Sequence, residues 1–302
     1  MCGIVGFLDK THNAHAAVGS VLCDMLRALG CRGPDSAGVA LYGSEEAGDL
    51  VLQIKLGECG DFEVKSQEIV ARVQRLGTLR DCTRTAAYLR LGLSYTGDPQ
   101  QVERLIEADD NQVEVVSLGR HLEIVKQVGS PQSLDSTYGV STWTGTHGLG
   151  HTRLSTESRV DLSHSQPFWA HGYPDLAIVH NGHITNYDTM RRRYAQRGVR
   201  FYTHNDSEII GVYLAERLSR GSTLHEALQA SLTDFDGSFS YLAATPQALG
   251  FAKDPFALKP LLVTETETFV AVATEEIAIR AACAGTYTVR EAQAREVQVW
   301  QR

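Results

Sequence analysis

Apolar and polar positions change period repeatedly along the chain, and each change marks an element. The stretch "CGIVGFL" (2–8) is almost wholly apolar or glycine and predicts a buried strand. From Ala16 to Gly30 the period becomes helical. Val18, Leu22, Met25, Leu26 and Leu29 share one stripe, and Gly30 ends it. "RGPDSAG" (32–38) breaks the period and predicts a loop, and "VALYG" and "LVLQIKL" after it predict a strand pair. Between about residues 57 and 146 the chain alternates helix-like runs ("DFEVKSQEIVARVQRLG", "TGDPQQVERLIEA", "SPQSLDSTYG") with strand-like ones ("AAYLRLGLSY", "VEVVSLGRHLEIVKQVG"), the pattern of a compact α/β insertion.

From Gly148 onward strands dominate: "GLGHTRLS", "DLAIVHNGHIT", "SFSYLAAT", "LGFAKD", "PLLVTE", "TFVAVAT" and "VQVW". The helical runs between them are "NYDTMRRRYAQRG", "NDSEIIGVYLAERLSRG", "STLHEALQASL" and "EEIAIRAACAG". Asn205 with Glu208 three residues on reads as a capping-box start. Neighbouring strands with short turns predict antiparallel sheets, and grouped helices predict layers over them, an α+β fold.

Composition narrows the class. With 302 residues and 43% hydrophobic content, the chain can bury a large core. No run reaches transmembrane length, and no basic-then-apolar leader opens the chain, so a soluble cytoplasmic protein is expected. A formal net charge of −8 disfavours nucleic acid as a partner. The six cysteines form no CxxC pair, zinc-finger spacing or iron–sulfur run, and five are expected to be buried or partly buried thiols. No cofactor or metal motif marks this chain.

Five features carry chemistry, and each has a plainer reading. If Met1 is removed, Cys2 offers a thiol and a free α-amine on one residue, and the amine can serve as the thiol's base; otherwise Cys2 only opens a buried strand. Asn181 and Gly182, ending an apolar run, can form an oxyanion hole from one side-chain amide and one backbone N–H, or a hairpin turn. Arg153 can take a carboxylate bidentately, or serve a structural ion pair. Asp206, beside a helix start, can receive an ammonium group, or cap the helix. "RGPDSAG" brings Arg32 and Asp35 into a loop over the site, or is an ordinary turn. Taken together, they describe a site for a free amino acid whose side-chain amide is broken, and glutamine fits.

The motifs "CGIVG", "RGPDSAG", "GHTRLST", "VHNGHITNY", "NDSEII", "DFDGSFSYL", "AKDPFALKPL" and "VATEE" span nearly the whole chain in order. On these the chain resembles the class II glutamine amidotransferases of the N-terminal-nucleophile hydrolase superfamily. "SQPF" before "LAIVHNGHIT" leans toward the glutaminase part of glutamate synthases, and the 57–146 insertion toward stand-alone glutaminase-like subunits such as that of N-methylglutamate synthase, in methylamine metabolism.

The resemblance implies a four-layer αββα sandwich forming a single domain over 1–302. It implies Cys2 as nucleophile and base, Asn181 and Gly182 as oxyanion hole, Arg153 and Asp206 as carboxylate and amine holders, and Arg32 as a pocket-shaping residue. It further implies glutamine or glutamate as ligand and a hetero-oligomer with glutamate-synthase-like partner subunits. FMN and an iron–sulfur cluster belong to the partner, none to this chain. Leu154 stands where family members often carry an aromatic, Glu157 where many carry His, and Lys253 where Arg is usual. A non-catalytic subunit that keeps the glutamine-site fold is the alternative, and a peptide or lactam amidase a third reading that Arg153 and Asp206 disfavour.

Overall fold

The computed structural model describes residues 2–43, 49–108, 110, 112–155 and 159–302; Met1 and Glu157 lie outside them. The first half runs β1 (Gly3–Asp9), α1 (Val18–Ala28), β2 (Ser36–Tyr42), β3 (Leu50–Lys55), α2 (Phe62–Val73), β4 (Thr78–Thr85), β5 (Tyr88–Ser94), α3 (Pro99–Ile106), β6 (Glu114–Gly119), β7 (Leu122–Val128) and α4 (Pro131–Tyr138). Next come β8 (His147–Arg153), β9 (Phe168–Trp169), β10 (Ala177–Ile184), α5 (Tyr187–Gln196), α6 (Ser207–Ser219) and α7 (Leu224–Asp234). The chain finishes with β11 (Gly237–Thr245), β12 (Ala248–Lys253), β13 (Leu262–Glu265), β14 (Phe269–Ala273), α8 (Glu276–Ala282), β15 (Arg290–Glu291) and β16 (Val297–Gln301).

Two antiparallel sheets form the centre. One has the order β15-β13-β14-β1-β8-β2-β7, the other β16-β12-β11-β10-β9. Their strands alternate in which face they bury, and both faces are covered. Ile4 and Leu8 of β1 and Leu149 of β8 meet Val179, Leu242 and Phe251 between the sheets. Val5 and Phe7, one step out of phase, pack under Leu22, Met25 and Leu26 of α1 and Ile279 of α8. On the far side Ile178, Phe239 and Tyr241 pack under Ile209, Ile210 and Leu214 of α6 and Leu228 of α7. The result is the expected four-layer αββα sandwich, with strands apolar on both faces because both are buried.

A third, four-stranded sheet (β4-β5-β3-β6) stands beside this sandwich. The expected pairing of "VALYG" with "LVLQIKL" does not form. β2 pairs with β7 and β8, whereas β3 pairs with β5 and β6. β3 is thus the first strand of the third sheet, and β7 returns to the main one. The Asp175 carboxylate, just before β10, accepts N–H groups from Arg120, His121 and Leu122, each at 2.9 Å, and so fixes the β6–β7 turn against the second sheet.

Two local expectations are corrected. Glu208 does not reach back to Asn205; its carboxylate accepts from Tyr202 N and Thr203 N at 2.7 and 3.0 Å, while Asn205 Oδ1 accepts from Ser207 N. The capping box sits instead at Thr223–Glu226, where α7 begins. Among the cysteines, Cys31, Cys59 and Cys82 are exposed, Cys23 and Cys283 buried and Cys2 between these extremes.

Candidate active site

The ladder between β1 and β8 ends with Gly3 opposite Thr152, so Cys2 just before β1 and Arg153 at the end of β8 leave the same end of the ladder. Cys2 is half-buried, and its sulfur lies 3.9 Å from Leu154 O. Arg153 is buried, and its Nη1 donates to Arg159 O at 3.0 Å. Burial pulls the guanidinium below its ordinary value, while Cys2, Asp161 and Asp35 favour its charged form.

The "RGPDSAG" loop lies along the end of β8. Asp35 N–H donates to Arg153 O at 3.0 Å, and Ser155 N–H donates to Asp35 Oδ2 at 2.7 Å. Gly33 permits this approach, since a Cβ there would sit 2.4 Å from the carbonyl carbon of Thr152. The loop delivers Arg32 to the chain start. Its Nε donates to Cys2 O at 3.3 Å, and its Nη1 bonds Glu275 at the head of α8.

The second sheet supplies the facing half. Asn181 and Gly182 are not a hairpin turn; both lie inside β10, opposite Ser240 and Phe239 of β11. Asn181 is buried, and its Nδ2 donates to Cys2 O at 3.3 Å, so two separate elements grip the one carbonyl. The second hydrogen on Nδ2 is left for another acceptor. Gly182 has φ +148°, and a Cβ there would fall 2.3 Å from Ser238 O.

Asp206 does not cap its helix. Its Oδ2 accepts the N–H of Ile184 at 2.8 Å, with His183 Nδ1 3.4 Å away. Ile184 therefore turns its N–H to the edge of β10 away from β11. His180 does the same, donating its N–H at 2.6 Å to the Oε1 of Gln166. Antiparallel ladders alternate every second residue, so the Gly182 N–H between them faces that edge too.

The structure thus ties Cys2 directly to Arg32 and Asn181, sets it beside Arg153, and reaches Asp206 through β10. Sequence reading missed Gln166, Ser207 and Glu275 as members of this neighbourhood. "SQPF" and "VATEE" were visible, but nothing local shows that a glutamine or a glutamate folds onto a strand or a loop. Two cavities, of about 610 and 370 Å³, lie elsewhere: one between α5, α6 and α7, the other against the β11–β12 turn. Neither is lined by Cys2, Arg153, Asn181 or Asp206.

Comparison with known proteins bears on this geometry. The model of a glutamine amidotransferase domain matches residues 151–281, which take in Arg153, Asn181, Gly182 and Asp206 but not Cys2 or Arg32. A Methanothermobacter thermautotrophicus protein, provisionally named a glutamine amidotransferase, is 37% identical over the full length of both chains. The chain belongs to the glutamine amidotransferase family. This amidotransferase is also 34% identical to the glutamine amidotransferase-like protein GlxB of Rhizobium meliloti, over 91% of this chain and 89% of that one. Among solved structures, the glutamine phosphoribosylpyrophosphate amidotransferase of B. subtilis superposes with a TM-score of 0.64 at 19% identity, a likeness of fold. It covers 99% of this chain and 47% of that enzyme, so the amidotransferase spans about half its length.

No helix among the described residues is long and apolar enough to cross a membrane.

Proposed function

We propose that this amidotransferase hydrolyses the side-chain amide of glutamine through a thioester on Cys2 and passes the ammonia to a glutamate-synthase-like partner chain, N-methylglutamate synthase being the assembly it fits best. One observation carries the reading. The carbonyl of Cys2 is held at 3.3 Å by both Arg32 Nε and Asn181 Nδ2, which fixes the chain start against the strand that supplies the oxyanion donors.

With Met1 removed, the α-amine of Cys2 takes the thiol proton, and the thiolate attacks the amide carbon. The oxygen gains negative charge beside the spare Nδ2 hydrogen of Asn181 and the edge-facing N–H of Gly182, donors set before the charge appears. Ammonia leaves with a proton returned by the amine, and water then hydrolyses the thioester to glutamate. Arg153 receives the α-carboxylate and Asp206 the α-ammonium. Arg32, bonded to Cys2 O and Glu275, shapes the pocket by holding the nucleophile's backbone.

A flavin or iron–sulfur centre of the assembly would be housed in the partner chain, and a cytoplasmic setting keeps the thiols reduced. The test is ammonia release from glutamine by the purified chain, with and without co-purifying partners, for wild type and Cys2→Ala. The expected result is low release alone, stimulation by the partner, and none from Cys2→Ala; equal release by the variant removes the mechanism, and a chain inactive in every setting makes it a structural subunit.

A further inference from the structure

β9 is only two residues long, pairing with Ala177 and Ile178, and among the described residues no strand covers the rest of the β10 edge. At His180, where the next pair of ladder bonds belongs, a side chain takes the strand's place. Gln166 Oε1 accepts the His180 N–H at 2.6 Å, and Gln166 Nε2 lies 3.3 Å from the His180 carbonyl oxygen. One carboxamide thereby occupies both the donor and the acceptor of a single strand residue, as a neighbouring backbone would.

The same Nε2 also donates to Ser207 Oγ at 3.1 Å, and that hydroxyl lies 2.8 Å from His180 Nδ1. Ser207 is the first residue of α6 and follows Asp206 directly. The clasp is dry: Gln166 is 4% exposed, His180 2% and Ser207 1%. Gly38 of β2 makes room for it, because a Cβ there would fall 2.2 Å from Gln166 O. Four residues beyond His180, Asp206 Oδ2 closes the other side by taking the Ile184 N–H. The Gly182 N–H is thus bracketed along one edge by Gln166 and Asp206.

The geometry points to Gln166 as a positioning residue for the oxyanion donors. It touches neither Cys2 nor the expected place of glutamine, and acts by fixing the backbone of His180, and through it Asn181 and Gly182, at one distance from the thiol. This rests on the reading of Asn181 and Gly182 as oxyanion donors. Losing the clasp frees the strand edge at the point where a donor misplaced by about 1 Å costs roughly a hundredfold in rate.

The test is Gln166→Met, which keeps the side-chain length and removes all three hydrogen bonds. In the full chain with its co-purifying partner, kcat for glutamine should fall ten- to a hundredfold, with KM held within about twofold of wild type. Affinity for glutamate γ-semialdehyde, whose thiol adduct carries an oxyanion, should fall in parallel with kcat, while affinity for glutamate stays put. A folded Gln166→Met protein with wild-type kcat, or one that loses glutamate and semialdehyde affinity equally, overturns the assignment. If Gln166→Met does not fold, Ser207→Ala removes one anchor of the same carboxamide; a smaller fall with the same semialdehyde signature supports it, and unchanged kcat overturns it. Cys2→Ala run alongside separates the two readings, because activity in that variant defeats the thioester reading itself.

Discussion

Replacing Asp206 by Asn isolates a charge from a hydrogen bond. Asp206 Oδ2 accepts the Ile184 N–H at 2.8 Å, and an asparagine oxygen can accept it equally well. The side chain is 13% exposed, so its neighbours feel little solvent screening. What disappears is the negative charge that the proposed function sets against the substrate ammonium. A hydrogen bond to a charged group contributes about 1.5–3 kcal/mol, and at the upper end that is roughly a hundredfold in affinity. Asp206→Asn should therefore raise KM for glutamine by about a hundredfold while its melting temperature stays close to wild type, the cost to folding being below about 1 kcal/mol. The assay compares kcat/KM for glutamine with that for glutaramate, the same amide without the α-amino group. Wild type should prefer glutamine strongly, and the variant should scarcely distinguish them. Full preference for glutamine in Asp206→Asn would show that another group receives the ammonium.

Two further predictions follow from packing and burial. Gly182→Ala sets a Cβ 2.3 Å from Ser238 O at φ +148°, so β10 must move, and ammonia release should drop by about 10²–10³ as for loss of an oxyanion donor; near-normal release would remove Gly182 from that role. Burial depresses His147 to about 4 and His151 to about 3, and both are fully buried. The unfolded chain takes up those protons near pH 6.5 and the folded chain refuses them, so stability present above pH 6.5 is lost as pH falls toward 4 and 3. At pH 5 each contributes a loss of about 2 kcal/mol by this linkage. Urea unfolding at pH 7.5 and 5.0 checks this, and His151→Leu should lose about 2 kcal/mol less than wild type over the interval; an identical loss would place a proton on the folded histidine.

Periodicity served best where burial was one-sided or complete. The stripe of α1 and the apolar runs of β1, β10 and β14 could be read directly because each residue's environment follows from its place in the repeat. β4 was invisible for the opposite reason: "TLRDCTRT" is mostly exposed, with no apolar alternation, and it is a strand only because β5 pairs with it. The β2–β3 pairing failed because proximity in sequence stood in for partner choice, which is set by distant strands. At the site, residue types pointed to the chemistry, and the fold placed Cys2, Arg153 and Asp206 at the ends of elements around β10, with Asn181 inside that strand. Taken alone, Asn-Gly reads better as a turn, and only the register against Ser240 and Phe239 excludes that. Gln166 could not be read at all, because its importance lies in replacing a strand that stops too early.

The most direct measurement is mass spectrometry of the N-terminal peptide from protein quenched during turnover with glutamine. The account requires a peptide that begins at Cys2 and carries a γ-glutamyl group on its sulfur, absent without glutamine. An active enzyme whose N-terminal peptide still begins at Met1, or whose Cys2 sulfur never gains the adduct, would contradict it.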